Sequence, residues 1–345
     1  MNNKIFGVIA CILLAVGATL LGKLLPIIGG PVFGITIGIC LALVFKKKLS
    51  SISEGINEGT SEGISEGISG GASFAGKTFL QLSIILLGFE MNVFTVIQVG
   101  SDSLLIMIFT LSAAFLAAYL FGKLLGVDPI TTILIGVGTA ICGGSAIAAT
   151  APVIRAKDHE IAHSISTIFL FNIAAVFIFP AIGHFFQMSN TGFGIWAGTA
   201  VNDTSSVLAT SFAYSNEAGS LATIVKLART LMIIPVTFVL SLYFSGKGSH
   251  SQKRGFSLSK AFPYFIVGFL LAAVLNTSGL LPLPLVELLA GTGKFLIVVA
   301  MVGIGLNTDL IKLLKNGMKP IMLGLLCWIS LAATALLVQK WMGLL

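Results

Sequence analysis

Two cations in this chain lie where charge is expensive. Lys226 and Arg229 fall in the stretch 218–245, which is otherwise apolar enough to cross a membrane. Counted from its outer end they are about 9 and 12 residues in, roughly 14 and 18 Å at 1.5 Å per residue, near the middle of a hydrocarbon core about 30 Å thick. A cation at that depth is costly and usually functional. Three residues apart, the two share a helix face. The planar guanidinium fork suits sulfate, sulfonate or carboxylate, so Arg229 is the first candidate for substrate contact and Lys226 the second. The plainer alternative is an internal ion pair with Asp203.

Two more apolar stretches, 129–155 and 193–215, are interrupted by small and polar residues: Cys142-Gly143-Gly144-Ser145 in the first and Asn202-Asp203-Thr204-Ser205-Ser206 in the second. The run GTAICGGSAIAAT from Gly138 matches GTAVNDTSSVLAT from Gly198 at most positions. Open backbone polar groups in hydrocarbon cost several kcal/mol each, so a break at that depth needs protein, water or ligand to satisfy it. Ser145 and Thr204-Ser205-Ser206 are good N-caps for a second half-helix. A helix N-terminus carries about half a positive charge, and two converging would bind an anion through backbone N–H groups. Gly143, Gly144, Ser145, Asn202, Asp203, Thr204 and Ser205 are therefore candidate substrate-binding residues. A kink that merely packs closely is the alternative for each stretch. Asp203 could cap its half-helix, pair with Arg229 or carry a coupling proton. His163 is a second candidate for coupling, or an interface histidine satisfied by its neighbours.

The elements that must hold these residues are membrane helices. The chain has 345 residues, 56% hydrophobic and 10% charged, with a mean hydropathy of +1.03. A soluble domain carries about 25% charged residues, so a bilayer is the solvent that fits. The apolar runs are long rather than alternating, which favours helices over a barrel. The spacing predicts spanning helices over 5–22, 25–45, 73–91, 101–122, 160–186, 218–245, 260–277, 287–307 and 319–341. The expected fold is an all-α membrane protein: a single inverted-repeat, transporter-like bundle over 1–345, with about nine spanning helices and two broken helices. The apolar lead-in of Met1–Gly22 is short for a signal peptide, and the segment reads as a retained first helix. Cys11, Cys40, Cys142 and Cys327 lack metal-ligand spacing and read as inert thiols.

Orientation follows from the lysines and arginines. With Lys46-Lys47-Lys48 on the cytoplasmic side and both broken stretches re-entrant, the N-terminus and most other cations also lie inside. Full crossings would move Arg155 and Lys157 out. Hairpins are preferred by these two residues, and full crossings stay open. Residues 51–72 repeat Glu-Gly-x-x and read as a cytoplasmic connector or a packed cytoplasmic helix.

A second internal repeat joins 76–126 to 293–343. Gly76-Lys77, Gly88 and Gly100 match Gly293-Lys294, Gly305 and Gly317, each displaced by 217 residues. Glu90 and Asn92 then pair with Asn307 and Asp309. An odd number of crossings separates the copies, so they run in opposite directions, as in many secondary transporters. Chance glycine spacing is the alternative.

Four runs carry a resemblance over nearly the whole chain: GTAICGGSAIAATAPVI, GTAVNDTSSVLAT, KLARTLMIIP and GLNTDL. They resemble the YeiH-type family of sulfate exporters. The resemblance implies a multi-pass protein of the bacterial inner membrane that exports sulfate. Many relatives carry a His-Glu or His-Asp pair where this chain has Asn202-Asp203, which bears on proton coupling here.

The expected function is secondary transport of a small anion such as sulfate or an organosulfonate. A passive anion channel and a non-transporting scaffold are the alternatives. The expected partners are the anion and the lipid bilayer, with a homodimer as a candidate assembly and no nucleic acid. No enzyme, cofactor or metal is expected on this reading.

Overall fold

The computed structural model describes residues 2–25, 29–52, 69–245, 264–309 and 317–344. Most of the Glu-Gly connector, Lys247, Lys253, Arg254, Lys260, Pro263, Lys312 and Lys315 lie outside the described residues. Among the described residues every regular element is helical. In chain order these are α1 (Asn2–Leu24), α2 (Gly30–Ile52), α3 (Ser69–Glu90), α4 (Val93–Leu125), α5 (Pro129–Ala140), α6 (Gly144–Thr150) and α7 (Asp158–Phe185). There follow α8 (Asn190–Ala200), α9 (Thr204–Tyr214), α10 (Asn216–Thr230), α11 (Ile233–Ser245), α12 (Tyr264–Thr277), α13 (Leu283–Leu306) and α14 (Met318–Trp341).

Among the described residues seven stretches are long and apolar enough to cross a membrane: α1, α3, α4, α7, the run α10–α11, α13 and α14. The other two expected spans correspond to shorter apolar helices, Gly30–Val44 and Tyr264–Thr277. The first belongs to α2, which starts at Gly30 rather than at 25, after Gly29 takes a left-handed φ of 74°, and runs 23 residues. In contrast α4, expected over 101–122, runs 33 residues, about 50 Å at 1.5 Å per residue. Asn92 starts it early by accepting from Phe94 N, and Gly126 ends it at φ 61°.

The second interrupted stretch folds back on itself. Phe193, near the start of α8, stacks on Tyr214, the last residue of α9, at 3.9 Å between ring centroids. Tyr214 donates to Met188 O at 2.5 Å, and Asn190 donates to Glu217 at 2.9 Å. The two arms thus leave from the place where they arrive. Each has 11 residues, a depth of about 16 Å, half the hydrocarbon core. In the first stretch a Cβ added at Gly138 would lie 2.9 Å from Ile147, and Leu134 and Ile135 share one apolar cluster with Ile147, Ala151 and Ile154.

The stretch 218–245 is discontinuous too. Pro235 has no N–H for the carbonyl of Leu231 and its ring crowds that carbonyl. The helix therefore stops at Thr230, turns through Leu231-Met232 and restarts at Ile233. Arg229 thereby falls in a last helical turn.

Packing sorts the helices into two groups. In one, α13 packs on α1, α2 and α3, and α12 on α3. Small residues let these backbones touch: a Cβ added at Gly38 would lie 2.6 Å from Val302 O and 2.8 Å from Gly305 Cα. In the other, α14 packs on α4, α5, α7 and α8, while α10 packs on α8 and α9. Trp196 ties the second broken stretch to this group: its ring stacks on Phe179 at 4.1 Å and its indole N–H donates to Ala332 O at 3.1 Å.

Two outcomes are expected. With exposed Cys40 replaced by serine, cysteines at Asn190 and Glu217 should form an intramolecular disulfide under mild oxidation, identified as a linked peptide by mass spectrometry. Two arms running on in one direction would hold them about 35 Å apart and give none. Gly38→Val should destabilise the protein by about 1–3 kcal/mol through overpacking, read as a lower unfolding midpoint in detergent. Gly17→Ala, with no atom within 4 Å of the new Cβ, should raise that midpoint slightly, by about 0.5–1 kcal/mol of helix propensity.

Candidate functional site

The first break is written by glycine. Gly143 adopts φ 69° and ψ −131°, a conformation strained for any residue with a side chain. Asp128 and Pro129 start the preceding helix, with the carboxylate accepting from Ile130 N at 3.0 Å and Thr131 N at 3.1 Å. A helix that stops leaves its last carbonyls without intrahelical partners. Here each is accounted for. Val137 O accepts from Ile141 N at 3.1 Å and Gly138 O from Gly143 N at 2.9 Å. Ala140 O accepts from Arg229 Nε at 2.7 Å and Thr139 O from Arg229 Nη2 at 3.2 Å. Ile141 O accepts from Lys226 Nζ at 2.9 Å.

The second break has no glycine. Val201 and Asp203 are extended, with φ/ψ of −87°/129° and −91°/142°. The Asp203 N–H left over donates to Asn172 Oδ1 on α7 at 3.1 Å. The Asp203 carboxylate caps α9, accepting from Ser205 N at 3.0 Å and from the Ser205 hydroxyl. Val201 O accepts from Lys226 Nζ at 3.0 Å.

Lys226 thus joins the two breaks. Its acceptors, Ile141 O and Val201 O, occupy equivalent positions of the matched runs, 60 residues apart. The breaks also touch each other directly: a Cβ added at Gly143 would lie 3.5 Å from Asp203 Cβ and 3.6 Å from Asn172 Nδ2. Both Lys226 and Arg229 are fully buried, at 0% exposure. They sit at the carbonyl ends of α5 and α8, where positive charge offsets the negative pole of each helix. The arginine serves α5 alone; Thr199 and Ala200, the equivalents of Thr139 and Ala140, receive no cation among the described residues. Asp203 forms no ion pair with either cation there.

The other side of each break is the start of a half-helix. First-turn N–H groups have no intrahelical acceptor, and those of α6 and α9 begin next to each other at Gly144 and Thr204. Ser145 is exposed, Gly144, Asp203 and Thr204 are half-buried, and Gly143, Asn202 and Ser205 are buried. Several enclosed polar atoms nearby lack a protein partner: Asn172 Nδ2, both amide atoms of Asn202, the hydroxyls of Thr139 and Thr199, and Arg229 Nη1. The arrangement carries two cations and one carboxylate, with spare donors on the N-terminal side.

Of the residues singled out by sequence, Lys226, Arg229, Gly143, Gly144, Asn202, Asp203, Thr204 and Ser205 lie at or beside the two breaks, with Ser145 at the rim. His163 does not: it precedes Asn172 on α7 by nine residues, about 14 Å along the axis, and faces His159 at 6.5 Å. Asn172 is the residue that sequence reasoning missed. Its signal was a lone amide in the apolar run Phe169-Leu170-Phe171-Asn172-Ile173. No cluster of His, Cys, Asp and Glu among the described residues could hold a metal ion.

A family model described as Conserved hypothetical protein 698 matches residues 6–324. A UPF0324 membrane protein of Fusobacterium nucleatum is 45% identical over 364 residues, covering 100% of both chains. Another, from Streptococcus pyogenes, is 47% identical over 351 residues, covering 99% of this chain and 98% of the relative. No solved structure matches. Matched from end to end by such relatives, the chain belongs to the UPF0324 family of membrane proteins.

Proposed function

We propose that this protein is a secondary transporter of a small anion such as sulfate or an organosulfonate, with its site at the tips of two re-entrant broken helices. One observation carries the reading. A single buried ammonium holds equivalent carbonyls of both breaks, so the two half-helix N-termini stand side by side. Backbone N–H groups and aligned dipoles at such ends favour negative charge. The cations behind the breaks add to that field in a low-dielectric surrounding, where charge acts over longer range than in water. The exposed rim at Ser145 and the half-buried Gly144 and Thr204 give a solute access from one side.

The packing supports the inverted repeat. Exchanging α2 with α12, α3 with α13 and α4 with α14 turns the α2–α13 contact into α12–α3 and returns α3–α13 and α4–α14 to themselves, and all four contacts occur. Such repeats are built for alternating access about a midplane site. Movement of the group bearing the breaks against the α13-centred group would expose the site to each face in turn. The resemblance to the YeiH-type sulfate exporters is consistent with this substrate class and with a bacterial inner membrane. Most cations fall on one side when both broken stretches are re-entrant, which supports a cytoplasmic N-terminus. With no hydrolytic or redox constellation at the breaks, transport rather than catalysis is the reading.

Sulfate or methanesulfonate should raise the unfolding midpoint of the purified protein in detergent, while chloride at equal ionic strength should not. Uptake into liposomes should saturate with anion concentration. Arg229→Ala should weaken binding by about tenfold or more, because it leaves buried carbonyls unsatisfied. An absence of any shift with sulfate, sulfonates or dicarboxylates would remove the reading, and flux without saturation would point to a channel.

A further inference from the structure

We infer that Lys226 carries a coupling proton, taken up when the anion binds and released when it leaves; this rests on the transport reading above. Its environment is unusual for a charged amine. The amine is fully enclosed and hydrogen-bonds two neutral carbonyls, one from each break. The titratable groups facing it are Arg229 one turn along α10, Cys142 in the first break and Asp203 in the second. α4 packs on α10 through an apolar cluster that includes Ile106, Met107 and Val225. Asp203 forms no ion pair with it, because that carboxylate is engaged with Ser205 at the start of α9.

An ammonium without a counter-ion in a dry interior depends on its hydrogen-bond acceptors. Lys226 has two only while both breaks touch it. Motion that parts the breaks removes an acceptor and favours the neutral amine, which needs none. Conversely, an anion on the N-terminal side supplies the missing negative charge and favours the ammonium. The proton comes from solvent on the loading side, bonds to the Nζ lone pair, and returns to solvent on the releasing side. Anion and proton therefore move in the same direction. The other candidate carriers fit less well. Asp203 is committed to its helix cap, and His163 lies about 14 Å along α7 from Asn172.

The test is calorimetric titration of the purified wild-type protein with sulfate and with methanesulfonate, in buffers of different ionisation enthalpy and over a range of pH. Both anions stay ionised throughout. Net proton uptake approaching one per anion is expected, with affinity falling by up to about tenfold per pH unit as pH rises. Lys226→Gln should bind with no buffer dependence and a flat pH profile; if it does not fold, Lys226→Arg, a permanent cation, should show the same flat profile. Anion binding by wild type without proton uptake overturns the inference and leaves the transport reading standing. Undiminished uptake in the variants overturns the assignment to Lys226. No binding of either anion at any pH overturns both.

Discussion

A helix that stops halfway across hydrocarbon exposes carbonyls with nothing to accept from, and everything near the two breaks answers that deficit. Each open carbonyl is worth several kcal/mol at this depth. The first break meets it with two chain N–H groups and two buried cations, the second with the Lys226 ammonium at Val201. The fully buried Lys226 and Arg229 are therefore structural before they are anything else. Their depth suggested direct substrate contact; their geometry spends most of their donors on backbone. Arg229 Nη1, Asn172 Nδ2 and both amide atoms of Asn202 remain without a protein partner.

The two breaks solve one problem by different chemistry. The first uses the positive φ of Gly143, so the chain reverses within three residues between Ala140 and Gly144. The second stays extended and borrows an amide from α7, with Asn172 taking the Asp203 N–H. That loan makes α7 part of the site and places a carboxylate at the start of α9. A carboxylate there offsets part of the helix's positive pole. The α6 end has no such residue, and its Ser145 is the exposed one. An anion would thus find the first half-helix the stronger pole and the second the weaker.

Much of this was legible from residues alone. Glycine pairs and Asn-Asp-Thr-Ser-Ser inside apolar runs mark breaks because nothing in hydrocarbon tolerates them otherwise. Pro235 accounts for the turn after Thr230 in the same way, through the N–H it lacks. Partners were not legible. Spacing puts Lys226 and Arg229 on one face, but which carbonyls that face meets depends on how α10 docks against α5 and α8. Asn172 stood out as an amide among phenylalanines, yet no spacing linked it to Asp203, 31 residues on. Boundaries were less legible than elements: the run over 25–45 is apolar throughout, yet its helix starts at Gly30, after the left-handed Gly29.

Charge placement also explains why cations on the carbonyl side favour an anion rather than compete with it. Had Arg229 pointed to the N-terminal side, it would need a counter-ion whenever the site emptied. Tied to carbonyls behind the first break, it has acceptors in the empty state, and its field still reaches the N-terminal side across a few peptide units. In a medium of low effective dielectric that field weakens slowly with distance. A site built this way stays stable while empty and remains electropositive.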